Sequence, residues 1–248
     1  MNIELSEINF LTSLDITEQY IDISFFSDRQ KQFYVELIGE IISIHKGKQK
    51  SRVIIGFIGP SGSGKSVVVE LLKELSKQIQ LPFTVETLGI DAYSFTNEYL
   101  ASYFENEKPL KSFKGRYDTY NIAKLEEDLR SFTKGEKINL PIYSRVLHNP
   151  IENSFQVERE NVLLLVEGLW LLSDVGGWGT VVNNLDYSFF ITANKDEVKE
   201  LTIKRHIAGG RTLEDATMYY DSVDTVNFDG AVSTKERAGK IIPSFSGI

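Results

Sequence analysis

The chain has 248 residues, a formal net charge of −8, 42% hydrophobic and 25% charged residues, and no cysteine. This is the balance of an ordinary globular protein, long enough for one large domain or two small ones. The acidic surplus argues against a nucleic-acid binder, the missing cysteines remove disulfides and thiolate catalysis, and His45, His148 and His206 alone offer little from which to build a zinc site. The first residues carry acid without the basic and apolar regions of a signal peptide, and no apolar run approaches the roughly 20 residues of a membrane span. The expectation is a cytoplasmic protein without membrane or nucleic-acid partners.

In chain order, residues 20–25 have a strand-like piece, and Ser27 is placed to cap a helix over 30–45 with Phe33, Leu37, Ile38, Ile41 and Ile42 at helical spacing. Residues 1–50 therefore read as a helical lead-in packed on a core formed by 51–248. An apolar strand over 52–58 then runs into Gly59-Pro60-Ser61-Gly62-Ser63-Gly64-Lys65-Ser66 and a helix over 65–80. Strand, glycine-rich turn and helix are the context in which G-x-x-x-x-G-K-[ST] binds a nucleoside triphosphate. Backbone N–H groups and the helix start face the phosphates, Lys65 reaches the β- and γ-phosphates, and the Ser66 hydroxyl joins the shell of a Mg²⁺.

A second strand over 83–90 ends in Asp91-Ala92-Tyr93, where a carboxylate at the carboxyl end faces the ligand crevice. Residues 92–150 form a polar, aromatic insert suited to covering a substrate, with a helix over 122–133 and a loop over 141–150 that holds Tyr143, Arg145 and His148. Residues 162–166 are a fully apolar strand tipped by Glu167, and 185–191 give another strand. A helix over 195–206, the break Ala208-Gly209-Gly210 and a helix from 213 to about 221 place Arg205 and Arg211 at a hinge, as in a lid over phosphates. The alternation predicts an α/β fold, a three-layer doubly wound, mostly parallel sheet with a helical lid at about 205–212.

Two GTPase decoys fail on inspection. Asp174-Val175-Gly176-Gly177 lies well past its strand, and Asn194-Lys195-Asp196-Glu197 has Glu where a guanine-reading Asp belongs. Phosphoryl transfer to a hydroxyl uses the remaining residues: Asp91 as base, Glu167 holding Mg²⁺ through its waters, and the lid arginines on the phosphates.

The ordered blocks from Gly59 to Ser66, Gly89-Ile90-Asp91-Ala92-Tyr93, Pro141 to His148 and Val166-Glu167-Gly168 resemble the uridine kinase, phosphoribulokinase and pantothenate kinase superfamily. Within it the chain is most similar to an uncharacterised nucleoside- or fructose-kinase-like branch, on Phe113-Lys114-Gly115, Tyr120, Arg145, His148-Asn149-Pro150, Glu167 to Leu172, Arg205 to Gly210, Asp224 and Asn227. The resemblance implies ATP and Mg²⁺, Asp91 as the acceptor-side base, and Tyr93, Lys114, Tyr120, Tyr143, Arg145 and His148 around a small hydroxylated acceptor. It also implies Arg205 in the lid and a homodimer as the usual assembly. The chain departs from the branch at Tyr117-Asp118, at Asn121, and at Ser144, where an Asp is usual. Those departures leave open a nucleotide-binding regulator of the same fold without turnover.

Overall fold

The computed structural model describes residues 3–244 and 247–248. The chain begins with a β-hairpin, β1 (Ser13–Ile16) and β2 (Gln19–Asp22), followed by the long helix α1 (Asp28–Lys48). Ser27 and Gln30 close a reciprocal capping box that fixes where α1 starts. Next come β3 (Arg52–Ile58), α2 (Lys65–Ser76) and β4 (Thr84–Gly89). The insert holds α3 (Asn97–Ser102), the two-residue strands β5 (Phe104–Glu105) and β6 (Lys108–Pro109), α4 (Ile122–Thr133), and the hairpin β7 (Ile138–Ser144) and β8 (Asn149–Val157). The last part is β9 (Val162–Gly168), α5 (Gly179–Val182), β10 (Tyr187–Ile191), α6 (Lys195–Ala208), α7 (Leu213–Tyr219), α8 (Thr225–Val232) and β11 (Lys240–Ile242).

Strands β3, β4, β9, β10 and β11 form one parallel sheet in the order β11-β10-β3-β9-β4. Every residue of β3 is buried, as the unbroken apolar run requires of a strand covered on both faces. One face packs against α1, α2 and the first hairpin through Leu14, Ile16, Ile38, Ile41 and Leu72. The other packs against α4, α5 and β7 through Leu125, Leu129, Phe132, Leu140 and Trp178. Each such side chain contributes about 2 kcal/mol relative to exposure, so the two layers hold the strand tips rigidly. At the opposite end the buried Arg52 guanidinium donates to the carbonyls of Phe132, Glu136 and Arg159 at 3.1, 2.7 and 3.0 Å, tying α4 and the β8–β9 turn to the sheet.

The lead-in differs from the helical expectation, because residues 13–22 pair as strands. Leu14 and Ile16 point inward and Asp15 outward, a period of two that α1 cannot extend. The expected polar loop over 141–150 is mostly strand, with only Arg145 to His148 at the hairpin tip. The helix expected to end near residue 221 instead continues through a π-helical turn, Tyr220–Asp224, into α8. Among the described residues no helix is long and apolar enough to cross a membrane.

Candidate active site

The glycine-rich loop links the central strand β3 to α2. Gly62 and Gly64 have φ of 80° and 89°, which turn the chain so that successive N–H groups face one space. A Cβ on Gly59 would lie 2.6 Å from the Ile191 carbonyl oxygen, so only glycine lets the loop lie this close to β10. Lys65 is buried and its Nζ donates to the Pro60 carbonyl at 2.9 Å, folding the amine back over the loop. Burial lowers its pKa, against the carboxylates of Glu167 and Asp91, which hold the proton on. Ser63 Oγ and, across from Gly62 on α6, Thr202 Oγ1 are buried hydroxyls with no partner among the described residues. Unpartnered buried donors beside a glycine cradle and a buried ammonium fit a polyanion.

Register then sets two carboxylates beside the loop. Glu167 at the tip of β9 lies level with Phe57 of β3 and Gly89 of β4. Its Oε1 accepts from Ser66 Oγ at 2.6 Å. Burial raises the Glu167 pKa, while Lys65 pulls it down. Asp91 follows β4 directly, and Tyr120 donates its hydroxyl to Asp91 Oδ1 at 3.1 Å. A Cβ on Gly168 would meet Ile90 Cδ1 at 2.4 Å, so the close contact of β9 with the turn after β4 also sets where Asp91 sits. Among the described residues no three His, Cys, Asp or Glu side chains gather as a metal cage. Ser66 and Glu167 are the oxygen donors such a site offers Mg²⁺, which commonly takes one or two protein oxygens together with phosphates and waters.

Asp91 lines a cavity of about 300 Å³. Apolar walls come from Ile16, Val69, Ala92 and Phe155, and polar groups from Glu70, Thr87, Tyr143 and Arg145, with Ser66 and Glu167 at the end toward the loop. Glu70 accepts from Thr87 Oγ1, and Lys73 pairs with Glu86 at 2.9 Å. A larger cavity of about 530 Å³ lies at the amino end of β4, against Leu81 and Arg159. The carboxyl-end cavity is the candidate site, because ligands of open α/β sheets bind beyond the carboxyl ends of the strands.

Lys114 extends from the insert toward this cavity, its Nζ 5.3 Å from the Tyr143 ring centroid. It donates to Asn97 Oδ1 at 2.9 Å and to the His148 carbonyl at 2.6 Å. Burial lowers its pKa to about 8, partly offset by Asp91. The α6–α8 segment is bound to this part of the insert. Tyr219 donates to the Lys114 carbonyl at 2.9 Å, and His206 Nε2 lies 2.7 Å from Asp224 Oδ2. Trp170 donates its indole N–H to the Gly115 carbonyl at 3.1 Å. Arg211 stacks on the Tyr219 ring at 4.0 Å, and Arg205 is exposed, with its charge felt at Lys65, Tyr143 and Tyr219.

Thus Gly59, Pro60, Ser61, Gly62, Ser63, Gly64, Lys65 and Ser66 form one loop, and Asp91, Tyr120, Tyr143, Arg145 and Glu167 converge next to it. Tyr93 does not join them. It is buried, with its hydroxyl donated to Asp128 Oδ2 at 2.9 Å in the layer under α4. His148 contributes its backbone carbonyl at a hairpin tip with φ of 51°. The departures at 117–121 have structural uses. Tyr117 packs edge-on against Trp170, Asp118 pairs with Arg116 at 2.7 Å, and Asn121 caps α4 by accepting from Lys124 N–H. Sequence reasoning missed Thr17 and Glu18 at the first hairpin tip, where neither glycine nor asparagine marks the turn.

The sheet order agrees with comparison to known proteins. Residues 54–245 match the phosphoribulokinase/uridine kinase family. The chain belongs to that family. It is a small-molecule kinase with a P-loop α/β fold. A protein of Escherichia coli K12 named uncharacterized protein YggC is 29% identical over 98% of this chain and 95% of its own length. The pantothenate kinase of Halalkalibacterium halodurans is 25% identical, covering 80% of this chain and 70% of that one. The uridine kinase of E. coli K12 is 28% identical, covering 77% and 86%. Among solved structures, a Silicibacter sp. TM1040 protein described provisionally as a fructose transport system kinase superposes with a TM-score of 0.74 at 20% identity, over 85% of this chain and 98% of that one. That last likeness bears on the fold of the family and not on the acceptor.

Proposed function

We propose that the chain is a Mg²⁺-dependent ATP phosphotransferase whose acceptor is a hydroxyl on a sugar, a nucleoside or a pantothenate-like alcohol. The observation that carries this reading is that Asp91 lines one part-apolar cavity together with Ser66 of the phosphate loop and Glu167, while its charge acts on the buried Lys65. Gly59 to Ser66 hold the triphosphate, with Lys65 on its outer phosphates. Ser66, and Glu167 through bound waters, would hold Mg²⁺, which would supply positive charge to offset that of the phosphates. The Asp91 carboxylate orients the acceptor hydroxyl and takes its proton as the new oxygen–phosphorus bond forms. The bond to the bridging oxygen breaks in the same step, and ADP carries away that electron pair. Arg145 and Arg205 supply cations around the moving phosphoryl group, and Lys114 and Tyr143 border the acceptor. The walls support an acceptor with hydroxyls on a partly apolar body.

The test is acceptor-dependent release of ADP across a panel of sugars, nucleosides and pantothenate, with and without Mg²⁺. ADP formation with one acceptor class, abolished by chelation, is expected. Tight ATP binding without turnover on any member would replace this reading with that of a nucleotide-binding regulator.

A further inference from the structure

The first hairpin ends in a turn that its residue types do not favour. Thr17 and Glu18 have φ of 46° and 69°. A two-residue hairpin turn with both residues at positive φ normally carries Asn-Gly or a similar pair, and a β-branched residue there is an outlier. Strain of this kind persists where surrounding contacts over-determine it, and it clusters at functional sites. The contacts here are specific and lie more than a hundred residues away in sequence. Glu18 Oε2 accepts from Ser144 Oγ at 2.6 Å and from the Val146 N–H at 3.4 Å, while Thr17 Oγ1 accepts from Arg145 Nε at 3.2 Å. Ser144 is fully buried, while Glu18 reaches it from the exposed turn. Ile16 and Thr17 themselves line the 300 Å³ cavity, as do Asp91 and Tyr143.

We propose that the Thr17–Glu18 tip is a specificity-determining wall of the acceptor pocket, with Glu18 a positioning residue that holds the Ser144–Arg145–Val146 turn and thereby aims Arg145 at the acceptor. This rests on the kinase reading for the word acceptor, but the coupling between hairpin and loop is separately measurable. The buried Ser144 hydroxyl needs an acceptor for its proton, and Glu18 supplies it from outside the core domain. With Glu18 in place, Arg145 keeps its terminal guanidinium nitrogens for a ligand while its Nε is fixed by Thr17. The strained tip thus trades local stability for a set direction of one cation.

Three variants test this on the full chain: Glu18→Ala, Glu18→Gln, and the pair Thr17→Asn with Glu18→Gly. The Glu18→Ala protein should show faster amide hydrogen exchange over 144–148 and unchanged exchange over 59–66. With ATP and uridine, pantothenate or D-fructose as probe acceptors, its acceptor KM should rise about tenfold to a hundredfold, the loss of a charged hydrogen bond, with the ATP KM unchanged. Glu18→Gln keeps an oxygen acceptor for Ser144 and should recover most of that loss. The Thr17→Asn, Glu18→Gly pair relieves the turn but strips Ser144 of its acceptor, so the two effects offset and its melting temperature should stay within about 3 °C of the native chain while acceptor KM still rises. A merely structural turn would move stability and KM together. Unchanged exchange over 144–148, or KM values for ATP and acceptor rising in step, would overturn the proposal. If none of the three probes draws ADP formation, the failure belongs to the acceptor assignment, and the exchange measurement alone decides whether the hairpin holds the loop.

Discussion

Replacing Asp91 by Asn changes one charge without changing shape. The Tyr120 hydroxyl at 3.1 Å can still donate to the amide oxygen, so the local hydrogen bond survives. What disappears is the proton acceptor, and general-base contributions of this kind are worth roughly 10²- to 10⁴-fold in rate. The expected fall in kcat corresponds to about 3–5 kcal/mol of barrier. The other consequences differ in sign. Asp91 raises the pKa of buried Glu167, so removing its charge eases the burial of that carboxylate and offsets the counter-charge lost by buried Lys65, leaving stability little changed. It also removes a negative charge near the phosphates, so ATP should bind as tightly as before or more tightly. A coupled ADP assay, calorimetric ATP binding and a thermal melt measure these quantities on the same sample. A fall in kcat of less than about tenfold would remove Asp91 as the base. A matching loss of ATP affinity would put it in the cradle instead.

Lys114, with its pKa lowered to about 8, is cationic below that pH and loses its proton above it. Acceptor kcat/KM should therefore decline as pH rises through about 8, and Lys114→Arg, which stays charged, should hold the profile flat. Because the unfolded chain keeps this proton toward the ordinary 10.5, the same displacement makes stability rise between about pH 8 and 10.5, to the modest degree a half-buried group allows. Gly168→Ala drives a methyl to 2.4 Å from Ile90 Cδ1, which should cost about 1–3 kcal/mol in a denaturant melt and lower kcat by shifting Asp91. Adding Ile90→Val should restore part of both. Lys65→Ala should weaken ATP binding and transfer together, by roughly a hundredfold in kcat/KM for ATP.

Much of this arrangement was legible in sequence because it is local. The cradle, the apolar strands before Asp91 and Glu167, and the hinge after Arg205 each occupy a short run with its own chemistry. Their convergence follows from one rule, that parallel strands bring their carboxyl ends to the same side. What could not be read depends on contacts between distant segments. Tyr93 looked like a pocket residue until the position of Asp128 on α4 showed where its hydroxyl goes. The tight turn at Thr17–Glu18 carries no turn residues, so only its contact with Ser144 and Arg145 reveals it. The changes at Tyr117, Asp118 and Asn121 read as alterations of the acceptor region, and each has a packing or capping partner instead. The continuation of α7 into α8 was hidden because a π-helical turn shifts the hydrophobic period midway.

In the proposed reaction the γ-phosphoryl of ATP passes to a small alcohol at Asp91. The most direct measurement follows label from γ-³²P-ATP into products with Mg²⁺ and a mixed pool of sugars, nucleosides and pantothenate, for the native chain and for Asp91→Asn. Label is expected in an acid-stable organic phosphate with the native chain, and almost none with the variant. Label appearing only as inorganic phosphate, or equally in both proteins, would contradict it.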